Sequence, residues 1–333
     1  MLKKSLSIIV PIYNVEKYLQ KCISSLQKIE GINFEVLLIN DGSKDNSLKI
    51  CEKISNEDFR FKVISKKNGG LSDARNKGLE DADGEYIFFL DGDDYIESTG
   101  IEKLYSTIIK QKPDVSIFGY NVVYEDKDGN IEGNKLVVPK QKSVNKKIGT
   151  EFEEKDLDLI GYAWNKLYKR SFLVENNFYF EKGTSLVEDI IFNSMVLTKA
   201  NHITFNNIPV VHYVQRNRQT LGTKYYENII DLKIKGFNSY LKILTEWNIN
   251  HLDFYENKLI IDYTKFLISA IVKEQSMSKS KKKNELLSLH GALNNVFNYK
   301  KIKNIDIKNQ IIIYSFKRKL FWVNNILYSI RRK

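Results

Sequence analysis

Asp91 and Asp93 stand two residues apart in the run Asp91-Gly92-Asp93-Asp94, directly after the unbroken apolar stretch 86–90. A strand that hydrophobic is covered on both faces, and two carboxylates at its end can share one hard cation, Mg2+ or Mn2+, and bridge it to phosphate oxygens. The same pair also suits a solvated acidic loop. Asp41 closes a second apolar run in Asn40-Asp41-Gly42-Ser43. There it can accept from a base imide or a ribose hydroxyl, or simply make a turn. Val10-Pro11-Ile12-Tyr13-Asn14 closes a third run, with Tyr13 able to cover a base. Arg75 falls in the first turn after Gly69-Gly70, where guanidinium, backbone amides and helix dipole all favour phosphate, although a plain surface arginine is compatible with the same position.

Positioning these groups requires strand ends that converge on one crevice, as they do in a doubly wound sheet. The first 125 residues alternate short apolar runs with amphipathic stretches. Strands are expected at 5–12, 34–39, 61–65 and 86–90, with helices at 15–27 and 45–54 and another after Gly70 capped by Ser72. A helix at 101–110, a strand at 115–124, a turn at Asp128-Gly129 and a strand at 131–138 follow. Residues 139–158, lysine-rich and then acidic, read as a mobile loop. A helix at 187–198 and two strands near 202–205 and 210–213 complete an α/β body to about residue 222. The remainder, 223–333, is helical, with almost no Gly or Pro and no internal repeat.

Bulk properties exclude several classes. Neither G-x-G-x-x-G nor G-x-x-x-x-G-K-[ST] occurs, which counts against dinucleotide enzymes and Walker-type ATPases. Cys22 and Cys51 have no partner cysteine at metal spacing, so a reducing compartment fits. The start is too short and too abruptly broken by Pro11 for a secretory signal, and no run of about 20 apolar residues offers a spanning helix. A cytoplasmic protein is expected. The net charge of +11 is confined to one region: residues 271–333 carry 15 Lys and Arg against 3 Asp and Glu, leaving the rest near neutral. Nucleic acid is therefore not an expected partner. The tail alternates Lys and Arg with Ile, Leu, Phe and Trp, as an interfacial helix drawn to anionic lipid does over 309–333, or as a helical subdomain packing on the body or a second chain does. Nothing here sets the oligomeric state.

Taken together, the motifs ending at Asn14 and Ser43, Gly70-Leu71-Ser72-Asp73-Ala74-Arg75-Asn76 and Leu90-Asp91-Gly92-Asp93-Asp94 resemble family 2 glycosyltransferases with the GT-A fold, over roughly residues 5–220. Each motif is weak alone; their order and spacing together are specific. The resemblance implies a GT-A mixed sheet with a C-terminal helical extension, the nucleotide-sugar half in about 1–125 and the acceptor half in about 126–222. It implies a UDP-sugar donor contacted by Pro11, Tyr13, Asn14, Asp41, Ser43, Gly70, Arg75, Asp91 and Gly92, and a divalent metal, Mn2+ or Mg2+, on Asp91 and Asp93. It also implies an inverting displacement with Asp189 of the Glu188-Asp189 pair as base; a helix-capping role suits the same pair. Trp164 and Lys166 sit where acceptor-side residues are found, and Trp164 equally suits a core. The segment 212–220 looks like a closing segment in which Arg216 reaches the diphosphate. A saccharide or lipid-linked acceptor in capsular, exopolysaccharide or wall glycan assembly, at the inner face of the cell membrane, completes the expectation. Two rivals are a nucleotidyltransferase, which would release pyrophosphate rather than UDP, and a noncatalytic membrane-associated member of the fold, which would not need Asp41, Asp91, Asp93 and Asp189 together.

Overall fold

A computed structural model describes residues 4–140, 143–144, 146, 150, 152–153, 156–216, 226–297, 306–321 and 323. Two compact units emerge: residues 1–218 with 246–248, and residues 219–245 with 249–333. The first unit thus claims three residues from within the helical region. Trp247 explains why. Its indole Nε1 donates to Leu197 O (3.1 Å), its own carbonyl accepts from Thr150 Oγ1 (2.9 Å), and Phe152 and Phe205 pack edge-on against its ring.

Among the described residues the first unit is built on nine strands: β1 (Leu6–Ile12), β2 (Phe34–Asn40), β3 (Phe61–Ser65), β4 (Tyr86–Phe89), β5 (Tyr95–Ile96), β6 (Val115–Glu125), β7 (Ile131–Val137), β8 (Lys166–Lys169) and β9 (Ile203–Arg216). They form one mixed sheet in the order β3-β2-β1-β4-β8-β6-β9-β5, with β7 on β6. The β1, β2, β3 and β4 set is parallel. Its strands read as near-continuous apolar runs because helices cover both faces; every residue of β1, β2 and β4 is buried. Antiparallel β8 then joins β4 to β6.

The helices of this unit are α1 (Glu16–Gln27), α2 (Ser47–Glu57), α3 (Leu71–Asp81), α4 (Ser98–Gln111), α5 (Leu157–Gly161), α6 (Arg170–Glu175) and α7 (Glu188–Lys199). α3 packs on β1 and β2, and α4 on β9.

Several expectations need correction. The two strands near 202–205 and 210–213 are a single strand, β9. It pairs with β6 along the whole of that strand and absorbs extra residues around Pro209, where the register shifts at Phe118, Gly119 and Tyr120. β5 was not anticipated; two residues are too few to show a period. Ser72 does not cap α3: Gly70 is the N-cap and Ser72 lies inside the helix with its buried hydroxyl unpartnered. The expected mobile loop at 139–158 falls partly outside the described residues, but Thr150, Phe152 and Asp156 within it are buried.

The second unit holds α8 (Ile229–Glu246, apart from its last residue), α9 (Leu252–Lys273), α10 (Lys279–Val296) and α11 (Ile307–Lys317). Its core includes Phe237, Leu259, Leu267, Ile268, Leu289 and Phe316. No described helix is long and apolar enough to cross a membrane.

Candidate active site

The carboxyl ends of β1, β2 and β4 lie side by side because those strands are parallel neighbours, so the three polar motifs that follow them are neighbours too. The turn after β1 is tied to the turn after β2: Asn14 N donates to Ser43 Oγ (3.2 Å), Lys44 N to Asn14 Oδ1 (2.8 Å), and Val15 N to Ser47 Oγ (3.0 Å). Asn14 adopts a left-handed φ of 53° to make this turn, a conformation asparagine tolerates better than most residues. Pro11 is buried within the strand end, whereas Tyr13 is 47% exposed. Gly92 sits against this turn: a Cβ there would lie 3.2 Å from Pro11 O and 3.3 Å from Val15 Cγ2.

Asp41 is buried, and its carboxylate organises the glycine loop. Its Oδ1 accepts from Gly69 N (2.9 Å) and Lys66 Nζ (2.6 Å), and its Oδ2 from Gly70 N (2.8 Å). Lys66 also pairs with Asp73 in the first turn of α3. Gly70 has φ +87°, so a side chain there would be strained. The loop that delivers Arg75 is therefore braced by Asp41 and by a lysine the motifs do not reveal.

Arg75 is the centre of the site. It is 1% exposed, donates through Nη2 to Asp91 Oδ1 (2.9 Å) and through Nη1 to Asp189 Oδ1, and lies 5.1 Å over the Phe180 ring. Burial opposes its charge, but Asp189, Asp91 and Glu188 outweigh that cost and hold the guanidinium above its ordinary pKa. Arg75 is expected from the sequence to meet phosphate; here Nη1 and Nη2 each donate to one carboxylate, while Nε is buried without a partner, so only two of its five N–H donors are engaged by these bonds. Phe180 is itself pinned, because Asn76 Nδ2 donates to Phe180 O and Phe180 N to Asn76 Oδ1, both at 2.8 Å.

Asp91 feels burial first, which raises its carboxyl pKa; Arg75 opposes the rise, and Asp189 and Asp93 add to it. Asp94 ties the motif to β9: it is buried and accepts from Val214 N (2.8 Å), which fastens that strand to the end of β4. Burial, then Asp93 and Asp91, push its carboxyl well up. Arg216 at the end of β9 donates to Asp93 O (3.1 Å) and lies 3.6 Å from Asp93 Oδ2, while its Nε donates to Glu125 (2.9 Å) and its guanidinium covers Tyr18 at 3.9 Å. Arg216 is thus brought to the acidic motif; residues 217–220 of the closing segment lie outside the described residues.

Asp91 and Asp93 remain as the pair that could hold a cation. Among the described residues no group of three or more His, Cys, Asp or Glu is arranged to hold a metal ion. Two carboxylates fit an ion such as Mg2+ or Mn2+ that keeps water and takes the rest of its shell from phosphate oxygens.

On the opposite side, Glu188 and Asp189 open α7. Leu186, just before them, holds a φ of 76°, an unusual value for leucine. Asp189 Oδ2 accepts from Ala163 N (2.9 Å). Glu188 is 9% exposed, its Oε2 has no partner, and burial pushes its carboxyl up to about 7, with Asp189 adding to the rise and Arg75 opposing it.

The two acceptor-side expectations change. Lys166 is fully buried, and its ammonium donates to Leu159 O (2.8 Å), Asn165 Oδ1 (2.8 Å) and Tyr162 O, so all three N–H groups are spent holding the 159–165 segment. Burial pulls its pKa well down. Asn193 grips the same segment through Ile160 O, Gly161 O and Tyr162 O. Trp164 is 3% exposed and packs against Tyr162 (4.7 Å), Tyr213 (5.1 Å) and Tyr120 (4.8 Å). The half-buried rings here are Tyr162 and Tyr213. His212 stacks on Tyr95 at 4.4 Å, a packing role.

The sequence model of glycosyl transferase family 2 matches residues 7–175. The chain belongs to that family. This glycosyltransferase is 31% identical over 257 residues to EpsH of Bacillus subtilis strain 168, assigned as a glycosyltransferase, with 77% of this chain and 73% of EpsH covered. It is 30% identical over 230 residues to the cholesterol galactosyltransferase of Borreliella burgdorferi, covering 66% of this chain and 62% of that protein. The match covers 57% of EpsJ, and only 30% of GlyA against 62% of this chain, so GlyA is the much longer protein. The solved structure of Staphylococcus aureus TarS residues 1–349 in complex with UDP-GlcNAc superposes with a TM-score of 0.65 at 21% identity, covering 98% of this chain and 91% of that one. At that identity the likeness carries the fold alone, and the fold is GT-A.

Proposed function

We propose that this glycosyltransferase moves a sugar from a nucleotide-sugar donor, with UDP as the carrier, to a saccharide or lipid-linked acceptor with inversion at the anomeric carbon. The observation that carries this reading is the span of Arg75, one guanidinium joining Asp91 after β4 to Asp189 at the start of α7. A direct displacement needs a base and a leaving-group site within reach of one carbon, and these two carboxylates are held that close. The acceptor hydroxyl oxygen attacks the anomeric carbon, the bond from that carbon to the diphosphate oxygen breaks, and the hydroxyl proton passes to Asp189.

Asp91 and Asp93 would hold the divalent metal, Mn2+ or Mg2+, which neutralises charge on the diphosphate. Tyr13, exposed beside the Asn14–Ser43 tie, covers the base, and the remaining lone pairs of Asp41 serve the base or ribose. Tyr162, next to the amide that fixes Asp189, presents an aromatic edge to the acceptor in the place expected of Trp164. The TarS relative is named a poly(ribitol-phosphate) beta-N-acetylglucosaminyltransferase, which supports a role in surface or wall glycan assembly. The catalytic body in about 1–222 does this chemistry, and the basic region 223–333 meets an anionic membrane surface from the cytoplasmic side.

A thermal-shift panel of UDP-, GDP- and dTDP-sugars with Mn2+ identifies the donor, and release of the nucleoside diphosphate from that donor follows turnover. Asp189→Asn is expected to keep donor binding and to lower turnover by about 10²–10⁴-fold. Unchanged turnover removes Asp189 as base, and pyrophosphate as product rejects sugar transfer.

A further inference from the structure

The last described helix carries a surface that the transfer site leaves unused. Asp306 caps α11, its carboxylate accepting from Asn309 N (3.0 Å). One side of the helix, Ile312, Ile313 and Phe316, is buried in the helical unit. The other side is also apolar: Ile307 is 76% exposed, Ile311 44% and Tyr314 59%. Spacings of four and three residues align those side chains in one stripe along the helix.

The charge around the stripe says what it fits. It runs into Arg318, whose guanidinium lies 5.6 Å over the Tyr314 ring. Lys308 and Lys317 flank it, and Lys319 follows, all of them exposed. From Ile307 to Lys333 the chain contains no Asp or Glu. Pairing with a second copy would set this basic rim against itself, which like charges oppose. An anionic bilayer surface satisfies both parts: apolar groups enter the boundary of headgroups and acyl chains while Lys and Arg meet phosphates, and tyrosine is well suited to that depth.

We propose that α11 docks flat on an anionic lipid surface, with Ile307, Ile311 and Tyr314 inserted and Lys308, Lys317, Arg318 and Lys319 on the lipid phosphates. This rests on the membrane-surface reading above and narrows it to one face of one helix. The chemistry of sugar transfer plays no part in it.

The full chain is sedimented with vesicles of phosphatidylcholine mixed with phosphatidylglycerol, and with vesicles of phosphatidylcholine alone. Wild type is expected to partition at least about tenfold better onto the anionic vesicles. The double variant Ile311→Asn, Tyr314→Ser, altered only at exposed positions, is expected to lose at least about tenfold of that partition while keeping its melting temperature and its release of nucleotide in solution. Equal binding by the variant, or no preference for the anionic vesicles, overturns the proposal. So does a wild-type dimer that the variant converts to monomer without vesicle binding, which assigns the stripe to self-association. Retained vesicle binding with no sugar transfer sinks the transferase reading and leaves this one standing.

Discussion

Replacing Arg75 by methionine keeps most of the side chain's volume and removes the charge that joins the two acidic motifs. Two charge-assisted hydrogen bonds are lost, each contributing about 1.5–3 kcal/mol. Asp91 and Asp189 are 27% and 18% exposed at the side chain, so water reaches both and the lower end applies, about 3 kcal/mol together. Removing the guanidinium relieves its own desolvation but leaves two carboxylates uncompensated, so the net destabilisation stays at about 3 kcal/mol at neutral pH, the low end for breaking a buried pair. Without the guanidinium that opposes it, burial pushes the Asp91 carboxyl pKa further up in the folded variant. A folded-state pKa raised in this way gives stability at low pH that is lost as pH rises, so the deficit shrinks as pH falls and grows as pH rises. Turnover should fall by about 10²-fold or more, since Asp189 loses one of the two groups that aim it. Arg75→Lys restores charge, but one ammonium replaces a fork that reaches two carboxylates, so stability should recover further than turnover. Thermal melting across pH, with nucleotide release in parallel, reads all three effects. A methionine variant that melts with wild type and turns over at the wild-type rate would refute the bridging role.

Glu188→Gln tests the buried acid whose Oε2 has no partner. A carboxyl raised from 4.5 to about 7 gives stability that is intact below about 4.5 and is lost as pH climbs through about 7, by about 3 kcal/mol when complete. The glutamine variant should therefore melt above wild type at pH 8 and level with it at pH 4; a pH-independent difference counts against a carboxyl that titrates near neutrality. Lys166→Met leaves three buried acceptors without their donor and should cost about 2–3 kcal/mol by thermal or chemical unfolding. Wild-type stability with impaired acceptor use would instead return Lys166 to the acceptor role that its sequence position suggests.

The motif order was legible because strand ends and turn residues are local signals. An apolar run that stops at Asp91, and others that stop near Asn14 and Asp41, imply a shared crevice once the sheet is parallel, and the parallel pairing of β1 with β2 and β4 delivers it. The Glu188-Asp189 pair opens a helix, as its place before an apolar period implies. Partners were less legible. A tryptophan beside an asparagine and a lysine looks the same in sequence whether it lines a groove or fills a core, and the rings of Tyr120, Tyr162 and Tyr213 that bury Trp164 come from three separate segments. The single strand β9 was missed because Pro209 interrupts its period, while the ladder with β6 continues past it.

The amino-acid sequence by itself determined the family, the alternation of strands and helices, and the acidic positions at the strand and helix ends, since these depend on residue type and short-range period. Tertiary structure decided which of those groups touch. Arg75 and Asp189 are separated by 114 residues and meet only because α3 and the start of α7 are brought to the same end of β4. Whether an arginine faces phosphate or two carboxylates, and whether α11 is apolar on one side or on both, follows from what the rest of the chain packs against, and spacing along the sequence carries no record of that.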